Sequence, residues 1–193
     1  MKFAGVFSSK AGSKLTEQEL LEALRRRDSA GTRAFYDRYA GYLTAVALRY
    51  VPDRSAVKDI LQDAFIRMFD AIDRFEYRGE GSLKAWASRI VVNGALRSLR
   101  GKGKFDFVDD LPDVPEEEDI PVQSVPAPVL QKMIQELPDG YRTVFNLFVF
   151  EKKSHREIAG LLGIKENSSA SQFLRARAQL AREIKAYWKE HER

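Results

Sequence analysis

The sequence predicts an all-α protein: two small helical domains joined by an extended, acidic, proline-rich linker, the second a four-helix domain with a helix-turn-helix. Three observations carry this. Apolar residues recur at i, i+3, i+4 and i+7 on both sides of the middle of the chain. The S/T-x-x-E signature of a capped helix start occurs at Thr16 to Glu19 and again at Ser154 to Glu157. Between Phe105 and Pro128 lie five of the seven prolines and eight acids, with no lysine or arginine. A segment of that composition cannot bury enough apolar surface to fold alone and is expected to be extended. The division that follows is a loose tail at 1–15, a first domain at 16–104, the linker at 105–128 and a second domain at 129–193.

The elements can be justified in order. Thr16 and Glu19 open a helix with Leu20, Leu21 and Leu24 on its apolar side, followed by the exposed run Arg25 to Arg27. A second helix spans about Thr32 to Tyr50, with Phe35, Tyr39, Leu43, Val46, Ala47 and Tyr50 at helical spacing, and Pro52 marks its end. These aromatics read as core. The third helix, Arg54 to about Arg74, keeps Val57, Ile60, Leu61, Ala64, Phe65, Met68 and Ile72 on one face and Asp59, Gln62, Asp63 and Asp70 away from it. Two carboxylates four residues apart repel on a helix, so a basic partner would explain them. A plain solvated face and a carboxylate metal pair are the alternatives, the second lacking any histidine or further acid spaced to complete it.

Tyr77 to Ser82, YRGEGS, is a glycine-rich loop with no strand before it, which argues against a phosphate loop. Ser82 can cap a fourth helix reaching about Arg100. On it Arg89, Asn93, Arg97 and Arg100 form one polar, mostly basic stripe opposite Leu83, Ala87, Ile90, Val91 and Leu99. Trp86 sits beside the loop, where its ring can either pack in the core or stack on an unpaired base.

Past the linker, a helix from about Val129 to Glu136 breaks at Leu137 to Gly140. The chain resumes with Tyr141, Val144, Phe145, Leu147 and Phe148 as an apolar surface. Ser154 and Glu157 then open a short helix with Ile158, Ala159, Leu161 and Leu162 inward, and Gly163 supplies the left-handed stop. The helix after the turn has Phe173, Ala176 and Leu180 as its apolar line. Ser171, Gln172, Arg175, Arg177 and Gln179 take much of the remaining surface, which suits a major groove. Lys165 stands where a capping side chain is expected, so Asn167 or Ser168 would cap with a later start. Lys152 and Lys153 can meet phosphates beside it. An ordinary helical hairpin with a solvated face is the other reading of this pair.

Charge separates the parts further. The chain carries 32 basic and 28 acidic residues, net +4; with eight acids in the linker, only 20 remain elsewhere, an excess of +12 on the two basic parts. Such parts point to nucleic acid. There is no cysteine, and His155 and His191 are the only histidines, so disulfides and a Cys or His metal cluster are not expected. No apolar run approaches the roughly 18 residues of a membrane span, and the N-terminal stretch has too short an apolar core for a signal peptide. We find no Ser/His/Asp or Cys/His set, which argues against an enzyme. A cytoplasmic protein without metal or cofactor is the expectation.

The order of these parts resembles the sigma family of bacterial transcription-initiation factors, in its compact extracytoplasmic-function (ECF) group. DILQDAFIRMFDAIDRF (Asp59 to Phe75), RGEGSLKAWASRIVVNGALRSL (Arg78 to Leu99) and the block from Leu137 to Leu180 are similar to its polymerase-binding helix, its −10 segment and its −35 domain. The resemblance implies that Asp59, Gln62 and Asp63 meet a basic coiled coil on the clamp of the largest polymerase subunit. It implies −10 contacts from Arg78, Gly79, Glu80, Gly81, Ser82, Trp86, Arg89, Asn93 and Arg97, and −35 contacts from Lys153, Ser168, Ser171, Gln172, Arg175 and Arg177. It also implies core RNA polymerase, promoter DNA and an anti-sigma factor as partners, no direct membrane insertion, and a linker threading the polymerase cleft. The chain departs from many relatives at Ala170, where a basic residue is common, and at Ser169, where a branched apolar one is. A free-standing helix-turn-helix regulator is the alternative function.

Overall fold

The computed structural model describes residues 15–101 and 125–191. Most of the expected tail and most of the expected linker lie outside the described residues. The elements are α1 (Glu17–Arg25), α2 (Ser29–Tyr50), α3 (Arg54–Ala71) with a single 3-10 turn Ile72–Arg74, α4 (Ser82–Gly101), α5 (Ala127–Glu136), α6 (Asp139–Val149), α7 (His155–Leu162) and α8 (Glu166–His191). Among the described residues there is no strand.

Helix starts follow local capping chemistry. Thr16 and Glu19 form the expected reciprocal box. Asp28 accepts from the Ala30 amide at 3.0 Å and starts α2 ahead of Thr32, and Asp53 does the same for Ser55 at 2.9 Å. α5 begins at Ala127, inside the stretch expected to be linker, and Val125 before it is already buried. α6 begins at Asp139 rather than Tyr141, so Gly140 belongs to its first turn.

The interior of the first group lies between α2, α3 and α4. Phe35, Leu43, Val46, Ala47 and Tyr50 meet Val57, Ile60, Ala64 and Met68 from α3 and Leu83, Ala87, Val91 and Ala95 from α4, all buried. Each large apolar side chain so enclosed contributes about 1.5–3 kcal/mol. In the second group, Met133, Ile134 and Leu137 pack on Ala176, Leu180 and Ile184. α8 therefore serves two ends: its first half belongs to the helix-turn-helix and its second half packs with α5.

The two groups meet at the end of α2. A helix leaves its last carbonyls without intrahelical donors, and here the second group supplies them. Gln135 Nε2 donates to the Leu48 carbonyl at 3.2 Å, Asn146 Nδ2 to Arg49 at 2.8 Å, and Arg142 Nε to Tyr50 at 3.0 Å. Arg142 is 2% exposed; its Nη1 also donates to the carbonyls of Gln135 (3.0 Å) and Leu137 (2.6 Å), and it pairs with Asp139. Val144, Leu147, Ile158 and Leu162 continue the buried cluster of the first group.

Arg142→Ala strips the Tyr50 and Leu137 carbonyls of a buried charged donor. We expect it to cost about 3 kcal/mol of stability, read as a lower urea midpoint at unchanged slope. A loss below about 0.5 kcal/mol would mean that water takes over those carbonyls.

Candidate nucleic-acid and partner interfaces

Arg89, Asn93, Arg97 and Arg100 are exposed along one side of α4, and none has an ion-pair partner among the described residues. The opposite side is buried at Leu83, Ala87, Val91 and Leu99, with Ile90 half-buried. Gly79 and Gly81 in the loop before α4 have φ of 103° and 88°, a region glycine enters without strain. Arg78 pairs with Glu76 at 3.2 Å and Glu80 with Arg38 at 3.5 Å, both at the surface. Trp86 is half-buried, its ring 5.0 Å from that of Phe75 at 41°. Core packing thus occupies one side of the ring.

Ser82 does not cap α4 as expected. Its hydroxyl accepts from the Arg78 amide at 3.3 Å and closes the loop on itself. The cap comes from Glu17, 2% exposed, which was invisible as a site residue in the sequence. Glu17 Oε2 accepts from the amides of Gly81 (2.8 Å) and Leu83 (3.3 Å), and Oε1 from the Lys84 amide (3.3 Å) and the Tyr39 hydroxyl (2.8 Å). Burial, reinforced by this carboxylate, pushes the Tyr39 hydroxyl pKa up, so it remains a donor.

On α3, Asp59, Gln62, Asp63 and Asp70 are all exposed, and the three carboxylates have no hydrogen-bond or ion-pair partner among the described residues. Ile66, 53% exposed, lies on the same face one turn on from Asp63. Its spacing from Asp59, Asp63 and Asp70 put it on their side of the helix, a cue that its apolar character masked. Beside this face an apolar groove runs between α2 and α3, lined by Tyr36, Leu61, Phe65 and Phe69, with Gln62 and Ile66 on its rim.

The pair α7 and α8 follows the expected chemistry at its start. Ser154 and Glu157 form the capping box, and with Lys153 Nζ at 3.0 Å they hold the Glu157 carboxyl down at about 2. Gly163 is left-handed at φ 72°. α8 starts at Glu166, so the later start at Asn167 or Ser168 does not occur; both lie inside the first turn, where acidic Glu166 suits the helix dipole. Lys153, expected at a phosphate, is engaged with Glu157.

The outward face of α8 differs from the expected one. Gln172 is 2% exposed and Ser168 is buried, so neither offers its side chain to a groove. Gly140 leaves the space that Gln172 fills: a Cβ there would stand 2.9 Å from Gln172 Oε1. Asn167, Ala170, Ser171 and Leu174 instead follow one another along the outward face, flanked by Arg175 and Arg177. Leu174, 47% exposed, is the residue that the sequence reading missed. Arg175 Nη1 donates to the Tyr141 hydroxyl at 3.3 Å, which aims the side chain from α6. Behind this face His155 lies against Phe148 (4.7 Å) and Phe173 (5.7 Å), with its Nδ1 3.0 Å from Ser169 Oγ. Ser169 is thereby a hydrogen-bonding core residue.

Two family models match the chain in order: Sigma-70 region 2 over residues 35–105 and Sigma-70 region 4 over residues 129–180. The chain belongs to the sigma-70 family, in its ECF group. It is a transcription-initiation sigma factor, a class of protein that is not enzymatic. An ECF RNA polymerase sigma-E factor of Haemophilus influenzae is 27% identical over 184 residues, covering 88% of this chain and 96% of that relative. The RNA polymerase sigma-H factor of Pseudomonas aeruginosa is 24% identical over 188 residues, covering 90% and 96%. Among solved structures, the sigma factor RpoE in complex with the anti-sigma factor NepR from Bartonella quintana aligns at 22% identity and TM-score 0.48, covering 88% of this chain and 96% of that one. Among the described residues no helix of this sigma factor is long and apolar enough to cross a membrane. Nor is any group of three His, Asp or Glu residues among them placed to hold a metal.

Burial lowers the His155 pKa below its ordinary 6.5, against a smaller raising effect of Glu166. The unfolded chain therefore binds a proton more readily than the folded one in the window below 6.5, and stability is lost as pH falls through it. Unfolding midpoints should drop between pH 7.5 and 5.5, and His155→Gln should flatten that segment of the profile. An unchanged slope in the variant would assign the titration to another group.

Proposed function

We propose that this ECF sigma factor docks on core RNA polymerase through the outer face of α3 and reads its promoter with two separate surfaces. Asp59, Gln62 and Asp63 meet the basic coiled coil on the clamp of the largest subunit, with Ile66 adding an apolar contact. The loop Arg78 to Ser82, with Arg89, Asn93 and Arg97, holds the non-template strand and captures an extruded −10 base. Ser171, Leu174, Arg175 and Arg177 enter the −35 major groove, where an apolar side chain suits a thymine methyl and an arginine a guanine edge. The observation that supports this reading is the set of exposed carboxylates on α3, without partners among the described residues, together with the exposed basic stripe on α4.

Opening needs no catalytic residue here. Unstacking a base costs a few kcal/mol, offset by the capturing pocket and by neutralisation of phosphates. The polymerase performs the chemistry, in the cytoplasm. An anti-sigma factor completes the partners that the family resemblance implies. A free-standing regulator would leave the α3 face without a role.

Asp63→Arg reverses one charge on an exposed face. We expect it to abolish association with core polymerase in the absence of DNA while leaving helical content intact. Association at wild-type strength would take Asp63, and with it the α3 face, out of the interface.

A further inference from the structure

The loop assigned to base capture is held from outside its own segment. Four donors converge on Glu17: the Gly81, Leu83 and Lys84 amides and the Tyr39 hydroxyl, at 2.8–3.3 Å. Three of these are amides at the start of α4, which a helix leaves unsatisfied unless a cap is supplied. The local candidate, Ser82, is committed to the Arg78 amide. Glu17 comes instead from the first turn of α1, more than 60 residues away in the chain.

The rest of α1 fixes the other end of the same segment. Arg25, in its last turn, donates from Nη2 to the Phe75 carbonyl at 2.6 Å, and Arg27 beyond it pairs with Asp73 at 2.7 Å. Arg38 on α2 bridges the Leu15 carbonyl (2.6 Å) to Glu80 of the loop (3.5 Å). Helix α1 thus grips the stretch from Asp73 to Lys84 at both ends. Between the grips lie two glycines at positive φ, which on their own would leave the loop many conformations.

We propose that Glu17 is the positioning residue of the −10 reader, holding the loop Arg78 to Ser82 in its base-capturing shape and fixing the start of α4. The inference rests on the assignment of that loop and of α4 to the −10 element. It has a second consequence. With a buried carboxylate on its first amides, α4 offers no free N-terminus to a DNA phosphate, so strand contacts fall to side chains of the loop and stripe.

The test uses full-length protein reassembled with core polymerase and non-template single strands carrying either the preferred −10 bases or a scrambled element. Glu17→Gln keeps the shape but turns an NH2 group toward amide donors. We expect its discrimination between the two strands to fall about tenfold, the loss associated with one charge-assisted hydrogen bond, with polymerase association unchanged. Leu43→Val, a core substitution, supplies a stability-matched control that keeps discrimination. Should Glu17→Gln fail to fold, Tyr39→Phe removes one donor and preserves the ring; it should lower discrimination about threefold, a smaller loss because the three amide donors to Glu17 remain. Wild-type discrimination in Glu17→Gln, or in Tyr39→Phe where that variant stands in, overturns the proposal. So does an equal loss in Leu43→Val. If the wild-type holoenzyme itself does not discriminate, the −10 assignment falls and the proposal goes with it.

Discussion

A single buried carboxylate ties together the helices on which the first half of the molecule depends. Glu17 is enclosed where α1, α2 and the start of α4 meet, and its two oxygens take up four donors, two of which, the Leu83 amide and the Tyr39 hydroxyl, are buried. Enclosing a carboxylate is costly unless hydrogen bonds replace its water. Here the replacement is nearly complete, and the same bonds anchor the first turn of α4. The stripe from Arg89 to Arg97 is exposed because the other side of α4 packs on α2 and α3, while Glu17 holds its first turn.

The joint between the two helical groups follows a related logic. Helix α2 ends in three carbonyls that its own geometry cannot satisfy, and Gln135, Arg142 and Asn146 satisfy them from the second group. Arg142 also holds the break between α5 and α6 by its bonds to Gln135, Leu137 and Asp139. The side chain that shapes the second group is therefore also one of the three that attach it to the first. Apolar residues close behind it, with Val144 and Leu147 joining the cluster built by α2, α3 and α4.

Much of this was legible in the sequence wherever local chemistry decides. Capping boxes at Thr16 and Ser154, the left-handed Gly163 and the apolar rhythms of α2 to α4 depend on residues within a turn or two of one another. The acids of α3 and the stripe on α4 were legible for the same reason: a polar residue off an apolar face is exposed. Illegible were polar residues turned inward. Gln172 and Ser168 read as surface, yet both are buried; Gly140 makes room for Gln172, and the buried hydroxyl of Ser169 bonds His155. Glu17 and Arg142 share that character, since their partners lie far along the chain and no spacing rule connects them. Leu174 and Ile66 are the converse case, apolar residues left outside by the rotation of their helices.

The central claim is that one chain brings polymerase to promoters by reading two separated DNA elements with α4 and α8. It is tested most directly by reconstituting the protein with core RNA polymerase on a library of randomised duplex promoters and mapping the start sites of the transcripts. The account predicts initiation above core polymerase alone, from templates sharing two short conserved blocks at a fixed separation upstream of the start. Initiation no greater than with core alone, or tight selection of a single block by the free protein, would contradict it.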